Sequence, residues 1–418
     1  MKHRKTPMLP IILMVAVSSA AAEPAKLSFS GQIRARGEAT NVESFTSPAR
    51  KHGVDQALLR VRLAADADAG HDIKAYLQIQ DSRVFGSEAS VAANTANLDL
   101  HQGYLDVLKL GGLPLDLRAG RMELSYGDQR LVSPLDWSNV GRAWDGVRLR
   151  YTQENATLDA FLTNVKQTAN TRRNQHFWGL YAASKPFPRH EADLYLMGRD
   201  FGDGTQTSEL GTTGNLSDRT LGARFKGTPG AWDYTGEAAW QFGRKAGQSV
   251  RAWAMAATGG YTFEGSLKPH AGVEYDYASG DADPRDKKVR TFDPLFPFGH
   301  ALQGFQDVFS WKNGHAFKCS ASIDPVPDWK LQGDYHHFML EHSFDAWYDA
   351  TGAVIARDAT GASGRNIGDE IDIHVRGKFR DTIGLWFGYS RFFAGRFVKN
   401  AANGMDRDWA FFQAALNF

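Results

Sequence analysis

Arginines recur at alternating positions in short stretches of this 418-residue chain: Arg34 with Arg36, Arg60 with Arg62, and Arg148 with Arg150. Arg118, Arg224, Arg376 and Lys74 stand in similar surroundings. Guanidinium is planar, permanently charged and able to grip a carboxylate through two parallel hydrogen bonds, so a row of arginines on one face suits carboxylate-bearing solutes. Carboxylates recur with the same parity at Glu38, Asp66, Asp193, Glu237, Glu274, Asp276, Glu370 and Asp372. The same residues therefore also read as ion pairs that fill a wall. The basic set lies early in the chain and the acidic set mostly late, which polarises the face they share. Other chemistry is poorly supplied. No G-x-S-x-G or similar pattern marks a nucleophile, so no enzyme is expected. The lone Cys319 has no zinc-ligand spacing around it, and His336 and His337 alternate faces in a strand. Asp281 and Asp283 resemble part of a calcium loop, but the Asp-x-Asp-x-Asn/Asp-Gly spacing and distal Glu are missing and Arg285 opposes a cation. No metal or cofactor is expected.

The elements that must position these residues are strands. From Leu27 the chain alternates apolar and polar residues, and a period of two is the signature of a half-buried strand. Eighteen such segments follow, near 27–39, 57–67, 72–80, 98–108, 115–121, 144–151, 157–165, 176–183, 191–199, 220–226, 232–242, 251–260, 269–278, 315–323, 329–341, 368–376, 383–392 and 409–418. Links after even-numbered segments are short. Most links after odd-numbered ones are long, including 40–56, 81–97, 122–143, 200–219, 279–314, 342–367 and 393–408, with 243–250 as an exception. Outer-membrane barrels show this asymmetry between periplasmic turns and extracellular loops. The expected fold is all-β: a transmembrane antiparallel β-barrel of 18 strands. A charged side chain facing lipid costs about 2–4 kcal/mol at mid-membrane, so the arginines on the polar face must point into the lumen.

The N-terminus reads as a targeting segment. Residues 1–22 have a basic start, an apolar stretch from Met8 to Val17, and small residues ending at Ala22, as in a cleaved signal peptide. The barrel then occupies 23–418. Without Lys2, Arg4 and Lys5 the 48 Lys and Arg fall to 45 against 47 Asp and Glu, a near-neutral balance that predicts no nucleic-acid partner. The outer membrane of a Gram-negative bacterium is the expected location, with lipid around a monomer.

Two loops are too apolar to be merely solvated. The first holds Arg121, Asp128, Arg130, Trp137, Asn139 and Arg142, and leads into Trp144 and Asp145. Strict alternation would face Arg121 outward, which calls for a bulge or a position above the lipid band. The second contains Phe292, Asp293, Phe296 and His300 interspersed with two prolines and a glycine, a composition that predicts a packed constriction or lid.

The pairing of G-R-x-E-x-x-Y-G-D-Q-R-L-V and D-W-S-N-x-x-R-x-W-D-G-V-R with T-F-D-P-L-F-P-x-G-H resembles the alginate export family of outer-membrane barrels, over most of the chain from Arg60 to Phe418. The resemblance implies an 18-stranded barrel whose arginine-lined conduit passes a uronate polymer out of the periplasm. By motif or strand position it adds Arg121, Arg130, Arg142 and Arg391 to Arg60 and Arg148 as path residues, and it implies a periplasmic tetratricopeptide-repeat lipoprotein as partner. The chain is shorter than the exporter that typifies the family, chiefly in its loops. The expected function is passive conduction of an acidic, alginate-like polysaccharide along Arg34, Arg36, Arg60, Arg62, Arg118, Arg148, Arg150 and Arg376. The rival is an uptake porin for small carboxylates or sugars, and a third reading is a plugged structural barrel.

Overall fold

The computed structural model describes residues 25–42, 46, 53–85, 98–166, 175–208 and 211–418. The expected signal segment, 1–22, therefore lies outside the described residues. Strands β1 (Lys26–Thr40), β2 (Val54–Gly70), β3 (Ile73–Val84), β4 (Asp99–Val107), β5 (Leu115–Met122) and β6 (Trp144–Gln153) form the first third of one sheet. They are followed by β7 (Ala156–Val165), β8 (Gln175–Ser184), β9 (His190–Thr207), β10 (Thr213–Gly227), β11 (Trp232–Lys245) and β12 (Gln248–Thr262). The last third is β13 (His270–Ala278), β14 (Gly314–Val326), β15 (Trp329–Leu340), β16 (Asn366–Phe379), β17 (Ile383–Ala394) and β18 (Arg407–Asn417). Each strand pairs antiparallel with the next.

β18 returns to β1, from Gln32 opposite Asn417 to Thr40 opposite Trp409, and closes an 18-stranded barrel without a free edge. Closure is completed below the last pair, where Gly31 N–H donates to Phe418 O at 2.7 Å and Phe418 N–H donates to Gly31 O at 3.0 Å. A Cβ on Gly31 would lie 2.5 Å from the Phe418 ring, so glycine makes room for the C-terminal aromatic.

Alternation puts Leu27, Phe29, Leu77, Leu162, Leu194, Val273 and Ile373 on the exposed exterior. Such a continuous apolar outer face is what a hydrocarbon solvent requires. No helix among the described residues is long and apolar enough to cross a membrane, so any crossing is by strands. Even-to-odd links are tight: β2 and β3 join through His71 and Asp72, both at positive φ. Two links on the opposite rim are shorter than the sequence predicts. β9 and β10 run on to Thr207 and from Thr213, and β11 turns into β12 through Ala246 and Gly247 at φ 47° and 85°. Strand pairing there outlasts the apolar alternation, because projecting hairpins need no lipid-facing residues.

Candidate functional site

The two long loops after β5 and β13 enter the barrel and pair with each other. Phe296 N–H donates to Leu131 O at 2.9 Å, Ser133 N–H to Phe296 O at 3.0 Å and Phe298 N–H to Gln129 O at 3.0 Å. Val132 and Phe296 form a parallel bridge. Arg142 donates to Phe296 O at 2.7 Å and to Ser133 O at 3.1 Å, and burial pulls its guanidinium pKa down to about 10. A core of Leu124, Leu131, Val132, Phe292 and Trp311 then packs on inward wall residues such as Met122, Trp144, Phe161, Phe177 and Met197. Apolar side chains buried inside a membrane barrel serve the same end as a soluble core: they fix the loops.

Polar wall residues fasten this insert. Arg130 is buried against Asp276, at 3.1 Å to both oxygens, and against Glu274. Burial opposes its charge, yet Asp276 and Glu274 outweigh that and hold Arg130 above the ordinary guanidinium range. Arg224 of β10 grips Asp128 at 2.7 and 3.0 Å, and against the effect of burial it keeps the Asp128 carboxyl below its usual value. Arg199 of β9 binds Asp218 and reaches Asp293 at 3.1 Å, while Gln241 of β11 exchanges hydrogen bonds with the Asp293 backbone at 2.6 and 2.9 Å. Farther along the second loop, Gln306 N–H donates to Glu370 at 2.9 Å. Gly304 adopts φ +88°, and a Cβ there would meet the Glu370 carboxylate at 2.6 Å.

On the β1–β3 wall the first loop meets the arginine row. Arg34 donates to the carbonyl oxygens of Asp136, Trp137 and Ser138 at 2.6, 3.2 and 2.9 Å. Arg36 donates to Trp137 O at 2.7 Å and pairs with Glu38 at 2.6 Å. Arg60, fully buried, bonds Gln32, Asp136 O and the Asp136 carboxylate. Arg62 joins Gln80 at 2.6 Å and Asp136 at 3.2 Å. Burial would raise the Asp136 carboxyl, but Arg60, Arg62 and Arg34 hold it below the usual carboxylate range. Lower on the wall, Arg118 is doubly bonded to Asp106 at 2.8 Å, and Arg150 to Asp159 at 2.6 and 2.7 Å. Arg148, directly opposite Arg118, and Arg376 on β16 make no hydrogen bond or ion pair among the described residues.

Three sequence-selected residues, Arg121, Asp145 and Arg391, do not reach the lumen. The β5–β6 ladder is regular through Arg121 opposite Asp145, so no bulge turns Arg121 inward. It lies on the outward face near the long-loop rim, paired with Asp145 at 2.6 Å. Arg391 is likewise outward, paired with Asp408 at 3.0 Å. Trp144 is inward and fully buried, but Trp144 and Asp145 open strand β6 rather than belonging to the loop. Phe292 packs edge-on to Trp311, and Phe296 meets Trp144 and Phe177. Asp281 and Asp283 accept N–H groups of their own loop, with Asp281 also near Arg290.

Sequence reading missed Arg199, Gln241, Phe305, Trp386 and Trp409. Arg199 shares parity with Asp193 and Tyr195 and was visible as an inward residue. The long link at 342–367 carries a hairpin of Ala346–Tyr348 with Val354–Arg357 whose Trp347 is fully buried on Phe309, Phe338 and Phe392. Trp137 also gathers an aromatic cluster with His300, Phe305, Trp386, Trp409 and Phe411.

A closed 18-stranded barrel with an apolar exterior, short turns on one rim and inserted loops on the other is an outer-membrane channel of the porin type. The alginate export family profile matches residues 25–411, and the chain belongs to that family. Solved structures with the same fold include Pseudomonas aeruginosa OprD, at 11% identity and TM-score 0.62, covering 96% of this chain and 95% of that one. OpdQ of the same organism matches at 12% identity and TM-score 0.61, covering 94% and 98%. OccD3 (OpdP), also from Pseudomonas aeruginosa, matches at 12% identity and TM-score 0.62, covering 95% of both chains. No curated protein matches the sequence.

Proposed function

We propose that this channel passively conducts an anionic polysaccharide, an alginate-like polyuronate, from the periplasm outward along the β1–β6 wall. The observation that supports it is that Arg34 and Arg148 point inward without a carboxylate partner among the described residues, in a row completed by Arg36, Arg60, Arg62, Arg118 and Arg150. Lipid-facing alternation forces these side chains inward, and the Arg148 guanidinium, without a hydrogen-bond or ion-pair partner among the described residues, is ready to bind an acid. Paired neighbours such as Asp106 and Asp159 moderate the field, so a polymer can leave as readily as it enters. Family membership supports the polymer, and the wall chemistry supports the carboxylate.

A second reading, uptake of small carboxylates, is favoured by a different observation. The inserted loops leave separate cavities of about 310 to 620 Å³, sized for a small solute. Release of encapsulated oligouronates from proteoliposomes decides between them. Export of a polymer predicts release of long oligouronates with retention of neutral oligosaccharides of equal length. Release of monomers and dimers alone supports the uptake porin, and retention of all charged sugars overturns both.

A further inference from the structure

Three consecutive carbonyls, of Asp136, Trp137 and Ser138, face the guanidinium groups of Arg34, Arg36 and Arg60 at 2.6 to 3.3 Å. Arg60 also holds the Asp136 carboxylate and Arg36 that of Glu38, whereas at Arg34 the anion site is filled by the protein's own neutral carbonyls. A carboxylate offers guanidinium a full negative charge and a bidentate fit that a neutral carbonyl lacks, so the carbonyls on Arg34 are a weaker occupant than the ligand class for which the site is built.

The same segment carries a stack of planar groups that reaches from the β1 wall to the second loop. The Trp137 ring lies 3.9 Å under the Arg36 guanidinium on one side and stacks on His300 at 4.1 Å and 12° on the other. His300 stacks in turn on Phe305 at 5.1 Å. Four planar groups thus run from the β1 wall to the second loop. On the short-turn side of this stack is a cavity of about 620 Å³ lined by Trp386, Gln413 and Ala415 and reaching the turn residues Asp324, Asp328 and Lys268. On the long-loop side is another of about 470 Å³, lined by Trp137, Phe305 and Trp409. Rings lining the two cavities meet, with Trp137 of the upper one edge-on to Trp386 of the lower one at 5.2 Å. Arg34 and Arg36 stand directly opposite Ala415 and Gln413 across the β1–β18 seam, one strand from the lower cavity.

We infer that a solute carboxylate arriving in the lower cavity displaces the carbonyls of residues 136–138 from Arg34 and Arg36, frees Trp137 from its stack and joins the two cavities. The channel is then opened by the charge of its own solute, along the β17–β18–β1 seam. A ligand shifts a two-state equilibrium only by its differential affinity, and here the open state alone offers it the guanidinium groups. The inference rests on the anion-path reading above and adds how that path is gated.

The test is single-channel recording of the refolded barrel with trigalacturonate or neutral maltotriose added to each side in turn. Trigalacturonate should raise the open probability of the unmodified channel about tenfold, and maltotriose should leave it unchanged. Arg34→Gln should be open more often without sugar and lose the response to trigalacturonate, while Trp137→Ala and His300→Ala should open without sugar. Heat-modifiable gel mobility checks that each variant has folded. An open probability indifferent to trigalacturonate in an anion-selective channel overturns the gate and leaves the path standing. Equal response to both sugars also overturns it, and a channel without anion preference overturns the path itself.

Discussion

Replacing Arg130 with Met should open the channel while leaving the barrel folded. Arg130 is the most enclosed tie between the first loop and the wall, held by Asp276 and Glu274 with all three side chains buried or nearly so. Removing one partner of a buried ion pair strands the remaining charge and costs about 3–5 kcal/mol. That cost falls on the inserted loop, because the barrel is held by eighteen continuous strand ladders in which Arg130 takes no part. At about 1.4 kcal/mol per decade, the ratio of docked to released loop should drop roughly 100- to 4,000-fold. Arg142 and the Val132–Phe296 bridge still tie the loop to its neighbour, so the lower end of this range is the expected one. Arg130→Lys keeps the charge but cannot span two carboxylates, and should fall between the two. Single-channel open probability reads the effect, and heat-modifiable mobility confirms the barrel. A folded Arg130→Met channel with unchanged open probability would refute the idea that this ion cluster holds the loop.

Three further outcomes follow from the placement of single side chains. Arg148→Glu should shift the reversal potential toward cation preference with no loss of folding, since no described partner is left behind; unchanged selectivity would place Arg148 off the path. Arg121→Gln and Arg391→Gln should leave selectivity unchanged, because both residues face outward, and a shift equal to that of Arg148→Glu would contradict the strand register. Asp136 is held below the ordinary carboxylate range, so its contribution to the closed state is fully present above that range and is lost only as pH falls through the depressed value. Basal open probability should therefore be unaffected by Asp136 between pH 7 and about 5 and rise only below about 4, and an Asp136→Asn channel that still showed the same acid opening would assign the effect elsewhere.

The barrel was legible because lipid imposes a period of two that no soluble packing enforces as strictly. Segments such as 329–341 and 383–392 differ from β15 and β17 by no more than two residues at either end. Inward arginines were legible for the same reason, but their partners were not. Arg118 and Arg148 stand opposite each other with the same parity, yet one is neutralised by Asp106 and the other is not, a difference set by a neighbouring strand. Motif resemblance could not separate Arg130, which ties a loop to the wall, from Arg121, which lies outside the barrel. The aromatic cluster was hidden because Trp137, His300, Phe305, Trp386 and Trp409 come from two loops and two strands far apart in the chain, and apolar residues in loops have no period to reveal which face they cover.

The most direct test of the anion path is the reversal potential of the refolded protein in a planar bilayer under a salt gradient, followed by addition of polymannuronate to one side. A potential set by the anion, with current altered by the polymer, is the predicted result. A potential set by the cation, or a current indifferent to the polymer, would contradict an arginine track for uronate.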